Sequence, residues 1–161
     1  MHDFEQIYSE YAVGVYRFLL KLSGSHTIAE ELTQETFYKA LKNINTFKGT
    51  CRVYVWLCQI AKNEYINYQK KSERKNIELD SATAIDIDNC FEKIFENEQI
   101  KEIHKALHFI EEPYKEVFTL RVFAQLPFAD IAQLFGKSDS WARVTFFRAK
   151  EKIVNLLEEG N

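Results

Sequence analysis

Phe128-Ala129-Asp130-Ile131-Ala132-Gln133-Leu134-Phe135-Gly136-Lys137-Ser138, followed after Asp139 by Ser140-Trp141-Ala142-Arg143-Val144-Thr145-Phe146-Phe147-Arg148-Ala149-Lys150, reads as two helices meeting at a tight turn. Ile131, Ala132 and Phe135 form one short apolar face, with a small alanine where two helices must approach closely. Gly136 permits a left-handed turn, and the Ser138 hydroxyl suits the free amides that open a helix. In the second helix Ala142, Phe146, Ala149, Ile153 and Leu156 or Leu157 recur at helical spacing, which predicts an inward stripe. Ser140, Arg143, Val144 and Phe147 then face away from it, with Arg148 and Lys150 also outside. This is the outline of a helix-turn-helix. On spacing alone it fits a DNA-binding element and a plain helical hairpin equally well.

Helical periodicity extends outward from this stretch through most of the chain. Phe4, Ile7, Tyr8, Tyr11, Val15, Phe18, Leu19 and Leu22 predict a first amphipathic helix that Gly24 ends. A second is expected to open at Ser25 or Thr27, with Ile28, Leu32, Phe37, Ala40, Leu41 and Ile44 buried. After a connector over Asn45–Thr50, a third helix from about Arg52 to Lys71 is expected to turn Val53, Trp56, Leu57, Ile60, Ala61 and Tyr65 inward. Lys62, Asn63, Asn67, Lys70 and Lys71 are then left for the outside. Ser72–Asn89 is polar, acidic and without sustained period, and reads as a linker. Helical pattern resumes near Cys90, with Phe91, Ile94, Phe95, Ile100, Ile103, Leu107 and Ile110. Pro113, preceded by Glu111 and Glu112, marks the start of a further helix. The expectation is an all-α protein of two small helical domains, at about 1–72 and 100–161, joined by an acidic linker at 73–99.

The composition agrees. With 161 residues, 46% hydrophobic and 28% charged, the chain can bury two small cores, and five Gly with two Pro favour helices over a turn-rich sheet. The start, Met1-His2-Asp3-Phe4, has no basic segment followed by an apolar run, and no window approaches a membrane span, so a cytoplasmic location is expected. The net charge of −3 argues against nonspecific coating of nucleic acid, which needs a positive field over the whole surface. Its distribution says more. Lys62, Lys70, Lys71, Arg74 and Lys75 stand against Glu64 and Glu73, and Lys137, Arg143, Arg148, Lys150 and Lys152 stand against Asp139 and Glu151. Between these two basic patches, eight acids from Asn76 to Glu102 face only Lys93 and Lys101.

Enzymatic and metal readings find little support. Cys51, Cys58 and Cys90 lack Cys-x-x-Cys spacing, and His104 and His108, four apart on a helix, lack both a catalytic glutamate and a third ligand. There is no nucleophile elbow, phosphate-cradling glycine loop or paired-carboxylate motif, so neither a cofactor nor a small-molecule substrate is expected. Glu31, Gln34 and Glu35 lie at helical spacing away from the Leu32/Phe37 stripe and form an exposed polar patch, either a solvated face or a docking surface.

The helix-turn-helix stretch resembles region 4.2 of the extracytoplasmic-function group of sigma-70 factors, with the Arg148-Ala149 pair followed by basic Lys150. Ala29-Glu30-Glu31-Leu32-Thr33-Gln34-Glu35-Thr36-Phe37 resembles the group's region 2.2. Phe47-x-Gly49 and Trp56-Leu57-x-x-Ile60-Ala61-Lys62-Asn63 resemble its regions 2.3 and 2.4. The blocks stand in the family's order, without a region 3. The resemblance implies an alternative sigma factor, not an enzyme, that binds core RNA polymerase and reads the minus-ten and minus-thirty-five promoter elements. Glu31, Gln34 and Glu35 would dock on the clamp helices of the largest subunit, and the flap is a further expected polymerase contact. Phe47, Lys48, Thr50 and Arg52 form a plausible pocket for unpaired bases, with Lys62, Asn63, Asn67, Lys70 and Lys71 toward minus-ten DNA. Lys137, Ser140, Arg143, Val144, Phe147, Arg148 and Lys150 would meet the minus-thirty-five duplex. An anti-sigma factor, often membrane-anchored in this group, is the implied regulator.

Three positions depart from the family. Asn67 stands where an Asp is frequent and Lys70 where an Arg is, which bears on the base preferred at minus ten. Trp141 stands where a small hydroxyl residue is common, and it is expected to pack on the preceding helix. Tyr54 and Trp56 are candidate stacking platforms, with Trp56 better suited to the core. Two rival readings are an autonomous dimeric helix-turn-helix regulator, which would bind its operator without polymerase, and a helical adaptor that binds only protein.

Overall fold

A computed structural model describes residues 3–78 and 98–159. Among them every regular element is helical, and they belong to two compact units. The first holds α1 (Phe4–Ser23), α2 (His26–Asn43), a 3-10 turn (Ile44–Thr46) and α3 (Val53–Glu78). The second holds α4 (Glu98–Leu107), α5 (Tyr114–Val122), α6 (Phe128–Phe135) and α7 (Asp139–Glu159).

Local signals account for most helix ends. The Asp3 carboxylate accepts from the Glu5 amide at 3.1 Å, and the Ser25 hydroxyl accepts from the Ile28 amide at 3.3 Å, which opens α1 and α2. Gly24, left-handed at φ 69°, closes α1. Pro113 precedes α5, whose first turn gains a further acceptor when the Glu112 carboxylate takes the Glu116 amide at 3.1 Å. The expected linker is corrected at its start. Helix α3 runs on to Glu78, so the first residues of the expected linker are helical. Residues 79–97, which contain the rest of the linker and the resumption expected from Cys90, lie outside the described residues.

In the first unit α1, α2 and α3 all pack on one another, with Val15, Phe18, Leu19, Leu32, Phe37, Val55, Leu57, Cys58 and Ala61 buried. Tyr8 and Leu41, expected inside, are 47% and 51% exposed. Tyr8 covers the core edge, its ring edge-on to Phe37 at 4.9 Å, and Leu41 lies one position past the buried Ala40. In the second unit α7 is the spine, packing against α4, α5 and α6. Its buried residues are Ala142, Thr145, Ala149 and Ile153, facing Val117, Leu120, Ile131 and others.

Candidate nucleic-acid interface

The turn between α6 and α7 has the geometry that its sequence predicts. Gly136 has φ 64°, and the amides of Gly136 and Lys137 reach the carbonyls of Gln133 and Ala132 at 3.2 and 2.9 Å. A β-carbon at that φ would be strained, so glycine sets the angle between the helices. Ser138 Oγ accepts from the Trp141 amide at 3.1 Å and opens α7. Trp141 is half-buried, its ring 5.2 Å from Phe135, so it packs on the preceding helix as expected.

All of Lys137, Ser140, Arg143, Val144, Phe147, Arg148 and Lys150 are exposed. At about 100° per residue, Ser140, Arg143, Val144 and Phe147 cluster on one face, while Arg148 and Lys150 lie on opposite sides of Phe147, about 160° apart. Val144 and Phe147 are 46% and 60% exposed, and with Val154 they make an apolar strip along α7. Lys152 does not join this surface, because it pairs with Glu111 at 3.1 Å and lies 4.9 Å from the Tyr114 ring. The face therefore offers a central apolar and hydrogen-bonding ridge with cations on either flank. That arrangement matches a duplex groove between two phosphate strands.

The first unit presents two further surfaces. On α2, Glu31, Gln34 and Glu35 are exposed, as expected from their spacing. Glu31 has a neighbour that the sequence did not reveal: its charge, after burial, helps hold the Tyr68 hydroxyl of α3 above its ordinary pKa.

The second surface joins the Phe47–Arg52 loop to α3. Phe47 packs against Trp56 with ring centres 4.8 Å apart, Gly49 turns at φ 71°, and Lys48, Thr50 and Arg52 are exposed. Asn63, Asn67 and Lys70 fall within about 60° of one another around α3, with Lys71 beside them, and all four are exposed. Lys62 is the correction. It is only 8% exposed, not turned outward, because it lies between Cys58 and Tyr65 on the inner stripe, where a long aliphatic stem can cover apolar surface. Glu64, counted against this basic patch, is likewise buried and ion-paired with Lys39 of α2. The bond to Glu64 raises the Lys39 pKa against the lowering effect of burial.

Tyr54 is not free to stack on a base. Its ring lies against Tyr11 at 5.6 Å, nearly parallel, and it fills the space that Gly14 leaves on α1. A β-carbon at Gly14 would come within 3.1 Å of the Tyr54 hydroxyl. Burial raises the Tyr54 pKa strongly and pushes Cys58 up to about 12. His104 stacks on Phe123 at 4.8 Å and His108 is exposed beside Phe109. Among the described residues, no three His, Cys, Asp or Glu side chains could share a metal ion, and no helix is long and apolar enough to cross a membrane.

Two helical units, one ending in a helix-turn-helix with cations flanking an outer ridge, define a protein built to read nucleic acid. Residues 7–75 match the Sigma-70 region 2 family model and residues 100–153 match Sigma-70, region 4. Among similar proteins is the ECF RNA polymerase sigma factor SigM of Bacillus subtilis, 27% identical over 157 residues, covering 97% of this chain and 96% of that protein. The ECF RNA polymerase sigma factor BldN of Streptomyces coelicolor is 29% identical over 162 residues, covering 97% of this chain but 61% of that longer protein. The fold is shared with the sigma factor RpoE from Bartonella quintana, solved with the anti-sigma factor NepR, at TM-score 0.62 and 20% identity over 98% of each chain. The chain belongs to the extracytoplasmic-function group of the sigma-70 family. It is an alternative sigma factor, an initiation factor that directs RNA polymerase to promoters and catalyses no reaction of its own.

Proposed function

We propose a division of promoter recognition among the three surfaces just described. The face of α7 enters the minus-thirty-five major groove, with Arg143 reading a base, Ser140, Val144 and Phe147 beside it, and Arg148, Lys150 and Lys137 on phosphates. The Phe47–Arg52 loop and the Asn63, Asn67, Lys70 and Lys71 face of α3 take the melted and duplex parts of minus ten. Glu31, Gln34 and Glu35 dock on the polymerase clamp helices. A factor acting at promoters belongs in the cytoplasm, where an anti-sigma partner that covers the polymerase-binding faces would hold it inactive. The sigma factor RpoE, which shares its fold, was solved with the anti-sigma factor NepR, and this supports the expectation of such a partner.

The observation that carries the proposal is the ridge on α7, where Arg143 is exposed near the N-terminal end with cations to either side. Its guanidinium fork suits the two major-groove acceptors of guanine. Arg143→Ala should cost roughly 1–3 kcal/mol and relax preference at one minus-thirty-five position, whereas Arg148→Ala should weaken all sequences alike. Transcription by core polymerase from a randomised minus-thirty-five library distinguishes them. An Arg143→Ala variant that keeps every base preference would reduce Arg143 to a phosphate contact.

Two expectations test the first unit. Lys70→Ala with Lys71→Ala should reduce open-complex formation and lower its salt slope by about one unit for each lost phosphate contact. An unchanged slope in a salt titration means that this face points to solvent. Glu31→Lys with Gln34→Ala should leave helicity intact and weaken core binding about tenfold or more, as loss of a central interface contact does. Equal affinity for core enzyme removes these residues from the docking surface.

A further inference from the structure

The Phe128 ring, first residue of α6, lies between two uses. The Arg121 guanidinium is 4.1 Å from its centre and also donates to the Leu126 carbonyl at 3.1 Å, bracing the turn that leads into α6. The Arg143 guanidinium of α7 is 5.9 Å from the same centre, within the roughly 6 Å reach of a cation–π contact. Phe128 also leans on Phe146, ring centres 5.6 Å apart, and Phe146 stacks on Phe118 at 5.8 Å. The ring is thus supported from the core, while Arg143 itself is exposed and has a long side chain with many rotamers.

From this geometry we infer that Phe128 is a positioning residue for Arg143: its π face restrains the guanidinium before DNA arrives and so sharpens the base preference that Arg143 confers. The inference rests on the reading of Arg143 as a base reader. Physically, a side chain restrained near its bound position loses less rotamer freedom on binding, and that saving goes to the base whose acceptors match the restrained fork. Arg121 acts on the ring, not on the DNA, by holding the α5–α6 turn that carries it.

The test replaces Phe128 by phenylalanine analogues with increasing ring fluorination, which withdraw charge from the π face while keeping the ring nearly the same size. Full-length variants are profiled with core polymerase on the randomised minus-thirty-five library. Preference at the Arg143-dependent position should fall stepwise, by about two- to five-fold for the most fluorinated ring, with little change elsewhere. Phe128→Tyr, which keeps the π face, should keep the preference, and in an Arg143→Ala background fluorination should change nothing. Thermal unfolding of each variant checks that the fold persists. If Arg143→Ala relaxes one position but fluorination does not, Phe128 is only a packing residue and the inference is overturned. If Arg143→Ala relaxes no position, the base-reading assignment itself fails, and the positioning role falls with it.

Discussion

Leu120→Ala is expected to lower the unfolding midpoint of the second unit by about 10 °C or more and to abolish transcription that depends on the minus-thirty-five element. Leu120 is fully buried in the last turn of α5, the helix that packs along α7. Truncating such a leucine removes its transfer free energy and leaves a cavity, which together cost about 2–5 kcal/mol. A domain of this size has only about 3–9 kcal/mol in total. For a small domain each kcal/mol moves the midpoint by about 4–8 °C, hence the predicted shift. The loss of function follows because the ridge on α7 has its geometry only while Ala142, Thr145, Ala149 and Ile153 remain seated on the core. Circular dichroism during heating reads the effect directly. A midpoint within a degree of the parent would mean that α5 contributes little to the stability of α7.

What could be read from the sequence depended on how one-sided each helix is. In α6 and α7 the buried residues Ile131, Ala132, Ala142, Ala149 and Ile153 recur at helical spacing, Gly136 and Ser138 mark the turn, and the exposed face follows from the period. The same holds for α2, where Ser25 caps the helix and the Glu31, Gln34 and Glu35 patch lies opposite Leu32 and Phe37. In α3 the signal is degenerate. Tyr54, Val55, Trp56, Leu57, Cys58, Ile60 and Ala61 form a nearly continuous apolar run, so two neighbouring stripes fit a 3.6-residue period almost equally. The choice is made by packing: the gap at Gly14 admits Tyr54, and Val55 and Cys58 then become fully buried. Lys62 follows them inward, which no charge-pattern argument anticipates. The Lys39–Glu64 ion pair joins residues far apart in sequence and left no local trace. Phe128 had a trace, an aromatic at the first position of the helix-turn-helix, but its relation to Arg121 and Arg143 depends on the packing of α5, α6 and α7.

The packing of α3 also makes the first unit sensitive to alkali. Burial pushes the Cys58 thiol from an ordinary value of 9.0 up to about 12, outweighing the lowering effects of the Tyr54 hydrogen bond and the Arg52 charge. Burial likewise pushes the neighbouring Tyr65 up to about 12. A group whose folded pKa lies above its unfolded value contributes stability that is intact below the unfolded pKa and is lost as pH rises toward the folded one. For Cys58 the loss therefore begins near pH 9.0 and continues to about 12, with Tyr65 adding to it from about 10 upward. Three pKa units correspond to about 4 kcal/mol, comparable with the whole stability of a small domain. The first unit should thus lose stability progressively above pH 9.0 and unfold as the pH approaches about 12, releasing α3 with Asn63, Asn67, Lys70 and Lys71. Replacing Cys58 by alanine removes one titrating group at the modest cost of a small cavity. Urea unfolding of parent and Cys58→Ala at successive pH values should show the variant less stable near neutrality but losing stability more gradually above pH 9.0. Parallel alkaline limbs in the two proteins would mean that the thiol is not what makes this core sensitive to alkali.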